Sequence, residues 1–353
     1  MTEVTMPKKK YYGNGSLVHL KNSLEKFKKP IIFFDIFFKN NLKFQDILEN
    51  KNLIKHFIDT SNEPSTELIN SLTKNIKNEQ PDADCIVSIG GGSTLDVGKA
   101  VSITLKNQGL AEDYVGWDKV KKKSIYKIGI PTLFGTGSES TKTCVLLDKK
   151  KYLKLGINSP ESVFDEIILD YSLMITAPVN QIFYTFMDTY IHSFESLNGI
   201  YRNLFADTCS KTSMNLLKKA LKEKNLTNEI TRSYMPLASY FGGMGIASSF
   251  VGLVHPMSAA LSVVFGTKHC VSNCMVMRAM KEIYPKNYDE FWIYSEDFKI
   301  QIPKGICKNL SEQKYKDLYK ATMIHDKPLR NQFGEEYKKK LTFDYLSKLF
   351  EKI

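Results

Sequence analysis

The sequence predicts an N-terminal α/β dinucleotide-binding domain followed by an all-α C-terminal domain. Three observations carry that expectation. Over the first 150 residues short apolar runs alternate with helix-period segments. Glycine-rich stretches follow two of those runs directly, at 90–93 and 135–137. Beyond about residue 165 the strand signals give way to long helical patterns. The expected division is 1–160 for the nucleotide-binding domain and 161–353 for the helical domain.

Taken in order, residues 30–35 (PIIFFD) form a short apolar run ending in an acid, as strands buried on both faces do. Residues 65–78 place Leu68, Ile69, Leu72 and Ile76 at helical spacing. Residues 85–89 read as a second buried strand that runs through Gly90-Gly91-Gly92-Ser93 into a helix reaching Val101, and 128–131 end a third strand before Thr132–Ser138. The later helical patterns cover 180–197, 206–224, 231–250, 254–265, 270–283 and 310–325. There is no internal repeat.

Composition narrows the functional classes. With 353 residues, 42% hydrophobic and 25% charged, the chain is an ordinary globular one rather than a disordered one. The 49 Lys+Arg against 38 Asp+Glu give +11, mostly from scattered lysine runs without interleaved aromatics. Such runs suit a solvated surface tolerant of anionic small molecules better than a nucleic-acid platform. Six cysteines without a CxxC pair make neither a disulfide framework nor a structural zinc site. The first residues lack the apolar run of a signal peptide, and 248–266 contains a histidine, a proline and four serines, so it reads as a core helix rather than a membrane span. The expected location is cytoplasmic.

Two chemical constellations stand out. In 86–100 (IVSIGGGSTLDVGKA) a strand delivers three glycines to a helix N-terminus, where unpaired amides and the helix dipole attract phosphate. Ser93 can add a hydroxyl, and Asp96 can cap or orient the turn. A second loop, 131–139, supplies Thr and Ser side chains after another strand, and two such loops at one sheet edge suit a dinucleotide. Asp35 stands where an adenosine ribose would be recognised, favouring NAD over NADP, with a turn cap as the alternative role.

The second constellation is Asp188-x-x-x-His192, which puts a carboxylate and an imidazole on one helix face. His255 and His269 follow. On one straight helix these two would lie about 21 Å apart, so joint ligation requires the chain to double back, and Gly266-Thr267 offers the break. Three imidazoles and one carboxylate without a thiolate suit Fe(II) or Zn(II) with a position open to a substrate oxygen. Cys270 and Cys274 read as a buried helix face.

These residues resemble the iron-containing alcohol dehydrogenases, which share their architecture with dehydroquinate synthase. The resemblance rests on 90–100 (GGGSTLDVGKA), 131–140 (PTLFGTGSES), 187–197 (MDTYIHSFESL) and 245–273, and covers essentially the whole chain. It implies Asp188, His192, His255 and His269 as metal ligands of the catalytic centre. It also implies Gly91, Gly92, Ser93 and Asp96 as the pyrophosphate loop, Thr132, Thr136 and Ser138 as the second nucleotide loop, and Lys154 as a lysine near the nucleotide. The cofactors implied are a divalent metal (Fe2+ or Zn2+) and NAD(P), the assembly a homodimer, and the partner a small-molecule sugar or alcohol.

Within the family the wording of 114–118 (YVGWD), 154–159 (KLGINS), 183–199 and 241–248 is most similar to the 3-deoxy-D-manno-octulosonate (Kdo) 8-oxidase branch. That branch implies oxidation of a terminal C8 alcohol to an aldehyde, coupling to a pyridoxal-phosphate aminotransferase that makes an 8-amino sugar for lipopolysaccharide, and dioxygen as a second candidate acceptor. Two positions depart from the family pattern. Ala259 replaces a histidine used in proton relay, and Glu63 replaces an asparagine before Pro64. The competing expectations are a dehydrogenase of another small alcohol or polyol, a dehydroquinate-synthase-like lyase, and a non-catalytic nucleotide-binding protein.

Overall fold

The computed structural model describes residues 3–353, which form two compact units. One comprises residues 3–151 and 155–176, and the other 152–154 and 177–353.

The first unit is built on nine strands: β1 (Lys9–Tyr12), β2 (Pro30–Asp35), β3 (Ile54–Ile58), β4 (Cys85–Gly90), β5 (Gly116–Trp117), β6 (Tyr126–Pro131), β7 (Thr143–Asp148), β8 (Leu153–Asn158) and β9 (Glu166–Leu169). Six of them make a parallel sheet in the order β1-β9-β6-β4-β2-β3, and β5, β8 and β7 form a small second sheet. Alternate residues of β2 face opposite cores. Ile31 and Phe33 pack with Ile69, Leu72 and Ile76 of α1 (Thr66–Glu79) and with Val97, Ala100 and Val101 of α2 (Gly92–Thr104). Ile32 and Phe34 pack on the other face with Leu20, Phe38, Phe44 and Leu173. This two-sided burial is why the strands carry continuous apolar runs.

The strand order contains a switch point. The connection after β2 runs outward to β3, whereas the connection after β4 runs the opposite way to β6. Open parallel sheets bind ligands at the carboxyl ends of the strands flanking such a point. Asp35 ends β2 and Gly90 ends β4, so both stand at that place.

The second unit is helical: α3 (Val179–Asn198), α4 (Leu204–Lys222), α5 (Glu229–Ser248), α6 (Val254–Phe265), α7 (His269–Val276), α8 (Pro285–Asp297), α9 (Glu312–Met323), α10 (Asp326–Phe333) and α11 (Phe343–Glu351). Helix α3 packs against α4, α5 and α7, while α6 packs against α7, α9 and α10. The pattern expected over 270–283 breaks early: α7 ends at Val276 and a 3-10 turn follows at Met277–Ala279. Among the described residues no helix is long and apolar enough to cross a membrane.

Candidate functional site

Helix α3 supplies the first two donors. Its apolar residues Ile182, Phe183, Phe186, Met187, Tyr190 and Ile191 are buried almost all round, which draws the polar Asp188 and His192 into the interior with them. Asp188 is 0% exposed, and its Oδ1 lies 3.6 Å from His192 Nε2, one turn further on. The third donor, His255, sits in the first turn of α6 with Nε2 3.4 Å from Asp188 Oδ1. Helix α6 then stops at Gly266, whose φ of 70° lies in the left-handed region that glycine adopts at little cost. The chain doubles back there, and α7 opens with His269, whose Nε2 lies 3.7 Å from Asp188 Oδ2. The His192 and His255 rings stack with centroids 4.7 Å apart.

Asp188, His255 and His269 each offer a ligand atom within 4.8 Å of the others, and His192 faces the same carboxylate. Metal–nitrogen bonds of about 2.0–2.1 Å in tetrahedral geometry separate donors by roughly 3.4 Å, close to the spacings here. The donor set therefore fits a borderline divalent cation. Asn273 supports the same conclusion. Its Nδ2 donates to Asp188 Oδ1 at 2.6 Å and lies 3.3 Å from the Nε2 atoms of both His255 and His269, so a positively polarised group already points at the electron-rich centre.

Burial pushes the Asp188 carboxyl up, but the imidazoles of His192, His269 and His255 outweigh it and hold the group well below the usual carboxylate range. Burial alone would lower His255; Glu195 and Asp188 instead raise it to about 9.

Glu195 was not singled out by the sequence reading. It lies on α3 at the i+7 position from Asp188, fully buried. One oxygen meets His255 Nδ1 at 2.5 Å; the other accepts from Val254 N at 2.7 Å and from the Tyr284 hydroxyl at 3.4 Å. The same hydroxyl, with one proton to give, lies nearer to Gln332 Oε1, at 2.5 Å. A carboxylate on the outer nitrogen of an imidazole fixes which nitrogen faces the cation and raises its basicity. The spacing Asp188-x3-His192-x2-Glu195 was the available signal. Cys270 also touches the centre, with Sγ 3.6 Å from Asp188 Oδ2, and it and Cys274 are buried on α7.

In the first unit the two loops meet at the sheet's switch point. Gly91 caps α2 without any side-chain cap bond, leaving the first-turn amides to an anion. A Cβ on Gly92 would come 2.8 Å from Thr136 Oγ1, so glycine is needed for the second loop to close over the first. Thr132 N donates to Gly90 O at 3.0 Å. Asp96 braces the pair, accepting from Ser138 Oγ at 2.6 Å and from Val145 N at 2.9 Å. Ser93 is half-buried in the first turn of α2. Asp35 accepts from Phe37 N and from Thr60 Oγ1, both at 3.0 Å, which makes it a cap of the turn after β2. Lys154, at the start of β8, groups with the helical unit; it is 3% exposed and its Nζ donates to Ser262 Oγ at 3.2 Å.

Two family models match the chain, iron-containing alcohol dehydrogenase over residues 7–171 and the C-terminal model of the Fe-containing alcohol dehydrogenase family over 182–332. The chain belongs to the iron-containing alcohol dehydrogenase family. It is 34% identical to the sulfoacetaldehyde reductase of Bilophila wadsworthia, over 59% of this chain and 54% of that protein. It is 28% identical to alcohol dehydrogenase 4 of Schizosaccharomyces pombe, over 77% of this chain and 66% of that one. With the NAD-dependent methanol dehydrogenase of Bacillus methanolicus the figures are 26%, 78% and 74%. The match thus spans between half and two thirds of the first two relatives. Among solved structures, a 1,3-propanediol oxidoreductase superposes with a TM-score of 0.85 at 21% identity over 99% of both chains. A sulfoacetaldehyde reductase from Bifidobacterium kashiwanohense in complex with NAD+ superposes at 0.83 and 21%, over 99% of this chain and 98% of that one. At these identities the likeness establishes the fold of this iron-containing alcohol dehydrogenase family member.

Proposed function

We propose that this chain oxidises a primary alcohol to an aldehyde, and that the alcohol is the terminal C8 hydroxyl of Kdo on the route to an 8-amino sugar for lipopolysaccharide. The observation that supports the alcohol chemistry is the grouping of Asp188, His255 and His269 within 4.8 Å of one another, with His192 against the same Asp188 carboxylate and Glu195 behind His255. When bound, a divalent cation supplies the Lewis acid that polarises an alcohol oxygen, and NAD(P) supplies the hydride acceptor. Asp188 and the three imidazoles would hold the cation; Glu195 keeps the His255 Nδ1 proton, so that Nε2 faces inward. Gly91, Gly92 and Ser93 present amides to the dinucleotide phosphates, while the Asp96–Ser138 bond keeps the second loop in register.

The Kdo assignment rests on the wording of 114–118, 154–159, 183–199 and 241–248 and on a +11 chain suited to an anionic sugar. Lys142, just after the second loop, is the proposed carboxylate partner. A homodimer and coupling to a pyridoxal-phosphate aminotransferase belong to the same proposal. The match to sulfoacetaldehyde reductase favours a second reading, reduction of a small anionic aldehyde.

Reconstitution separately with Fe(II) and Zn(II), followed by assays with Kdo, simple alcohols and sulfoacetaldehyde, tests both. NADH absorbance and oxygen uptake are recorded together. The expected result is metal-dependent turnover of Kdo, with loss of both bound metal and activity in the Asp188→Ala, His192→Ala double variant. A double variant that loses its metal and keeps its activity would overturn the proposal. Turnover of a small alcohol or of sulfoacetaldehyde, with none of Kdo, would replace the substrate and keep the chemistry.

A further inference from the structure

Asn273 reaches the carboxylate and imidazoles of the centre from α7. It follows His269 by four residues, so the two share one helix face, as Asp188 and His192 do on α3. Its side chain is 0% exposed. The Nδ2 atom lies 2.6 Å from Asp188 Oδ1 and 3.3 Å from the Nε2 atoms of both His255 and His269.

These are spacings between two ligands of one cation, longer than a bond from cation to ligand. Donors at about 2.0–2.2 Å from a common ion and at right angles to each other stand roughly 3 Å apart. The amide head thus occupies the place of one more donor, but with the wrong atom. An amide nitrogen has no lone pair to give, whereas the amide oxygen has two. That oxygen, Oδ1, is fully buried and has no hydrogen-bond partner. Half a turn about the Cβ–Cγ bond exchanges the two atoms with little change of shape. It gives up the bond to Asp188 Oδ1, an oxygen the cation then serves, and leaves one end of the amide unpaired, as one end is already.

Resting on the reading of this site as a metal centre, we infer that Asn273 turns on loading and ligates the cation through Oδ1. With Asp188, His192, His255 and His269 it makes five protein donors, which leave one place of an octahedral shell for the alcohol oxygen. That arrangement suits Fe(II) rather than a four-coordinate Zn(II) site.

The test uses Co(II), whose visible absorption is weak in a six-coordinate shell and strengthens as ligands are lost, on protein without substrate or NAD. Affinity is read by competition with a chelator. Wild type should give the weak spectrum. Asn273→Ala should bind Co(II) at least about tenfold more weakly and absorb about threefold or more strongly. Asn273→Asp keeps an oxygen at the position and removes the NH2; it should stay within about threefold of wild-type affinity and keep the weak spectrum. If Asn273 serves only as a donor to Asp188, Asn273→Asp loses as much affinity as Asn273→Ala, since both lack that donor, and the inference falls. An Asn273→Ala affinity within about threefold of wild type would overturn it too. Wild type alone also decides: an intense, four-coordinate Co(II) spectrum sinks the inference even if neither variant folds. None of these readings needs turnover, so inactivity on every alcohol counts against the alcohol proposal alone, whereas a wild type that binds no Co(II) overturns the metal reading and this inference with it.

Discussion

Replacing Glu195 by Gln tests whether the cation site depends on a residue that touches no cation. The glutamate serves two donors at close range, His255 Nδ1 at 2.5 Å and Val254 N at 2.7 Å, with the Tyr284 hydroxyl at 3.4 Å. Glutamine keeps the volume and offers one carbonyl oxygen. If that oxygen serves Val254, its NH2 faces the His255 Nδ1 proton; if it serves His255, the NH2 faces the Val254 amide. One charge-assisted bond is lost in either orientation, worth about 1.5–3 kcal/mol. That corresponds to a cation affinity weaker by roughly 10–100-fold, the range seen when groups behind metal ligands are removed. The assay is competition for Zn(II) against a chelator of known affinity, at the alkaline end of the range where His255 is largely neutral in both proteins. Tyr284→Phe leaves both short Glu195 bonds in place, removes the hydroxyl's contacts with Glu195 and Gln332, and should cost about threefold or less. A Glu195→Gln protein within twofold of wild type, or one matched by Tyr284→Phe, would refute the assignment of Glu195 as the group that orients His255.

The remaining predictions concern the glycine loop and proton linkage. In Gly92→Ala the new Cβ would lie 2.8–2.9 Å from Thr136 Oγ1 and Cγ2, and a β-branched side chain has little freedom to move aside; NAD affinity by fluorescence titration should fall at least about tenfold while metal content is unchanged. Metal affinity should also depend on pH. His255 is raised to about 9 in the metal-free protein, so at neutral pH its proton must leave before the nitrogen can bind a cation, and Zn(II) affinity should rise by up to tenfold per pH unit from about 7 towards 9 and level off above it. A flat profile over that interval would show that His255 is not a ligand.

The parts that were legible in the sequence are those in which one short segment contains its own signal. Buried strands β2, β4 and β6 declared themselves by continuous apolar runs, and the helix break at Gly266 by a glycine inside an otherwise helical stretch. What was missed lacked a local pattern. Strand β3 is an edge strand carrying Lys55 and His56, β1 is a lysine-bearing edge, and β9 has four residues, so none shows the apolar run of a central strand. Helix α8 buries only Phe291 and Ser295 among its thirteen residues, and α10 and α11 are too short for the 3.6 period to stand out. Glu195 was readable in principle, one turn beyond His192. Tyr284 and Gln332 were not, since only the folded chain brings them from distant segments to the same carboxylate.

The centre itself sits where local rules are broken. Helix α3 has apolar residues around its whole circumference between 182 and 194, and a fully buried Asp188 in that setting is strongly unfavourable unless its charge is met. Glu195 adds a second buried carboxylate seven residues on. The metal-free chain can tolerate both because histidines surround them: Asp188 keeps its charge against three imidazoles, and His255 holds a proton between the two acids. A divalent cation held by Asp188 and the imidazoles would do the same electrostatic work from one point, with His255 neutral. Hydrophobic packing alone would have filled positions 188 and 195 with leucine-like residues at no such cost, so the two buried acids fit a site built for a cation, Asp188 beside it and Glu195 behind His255.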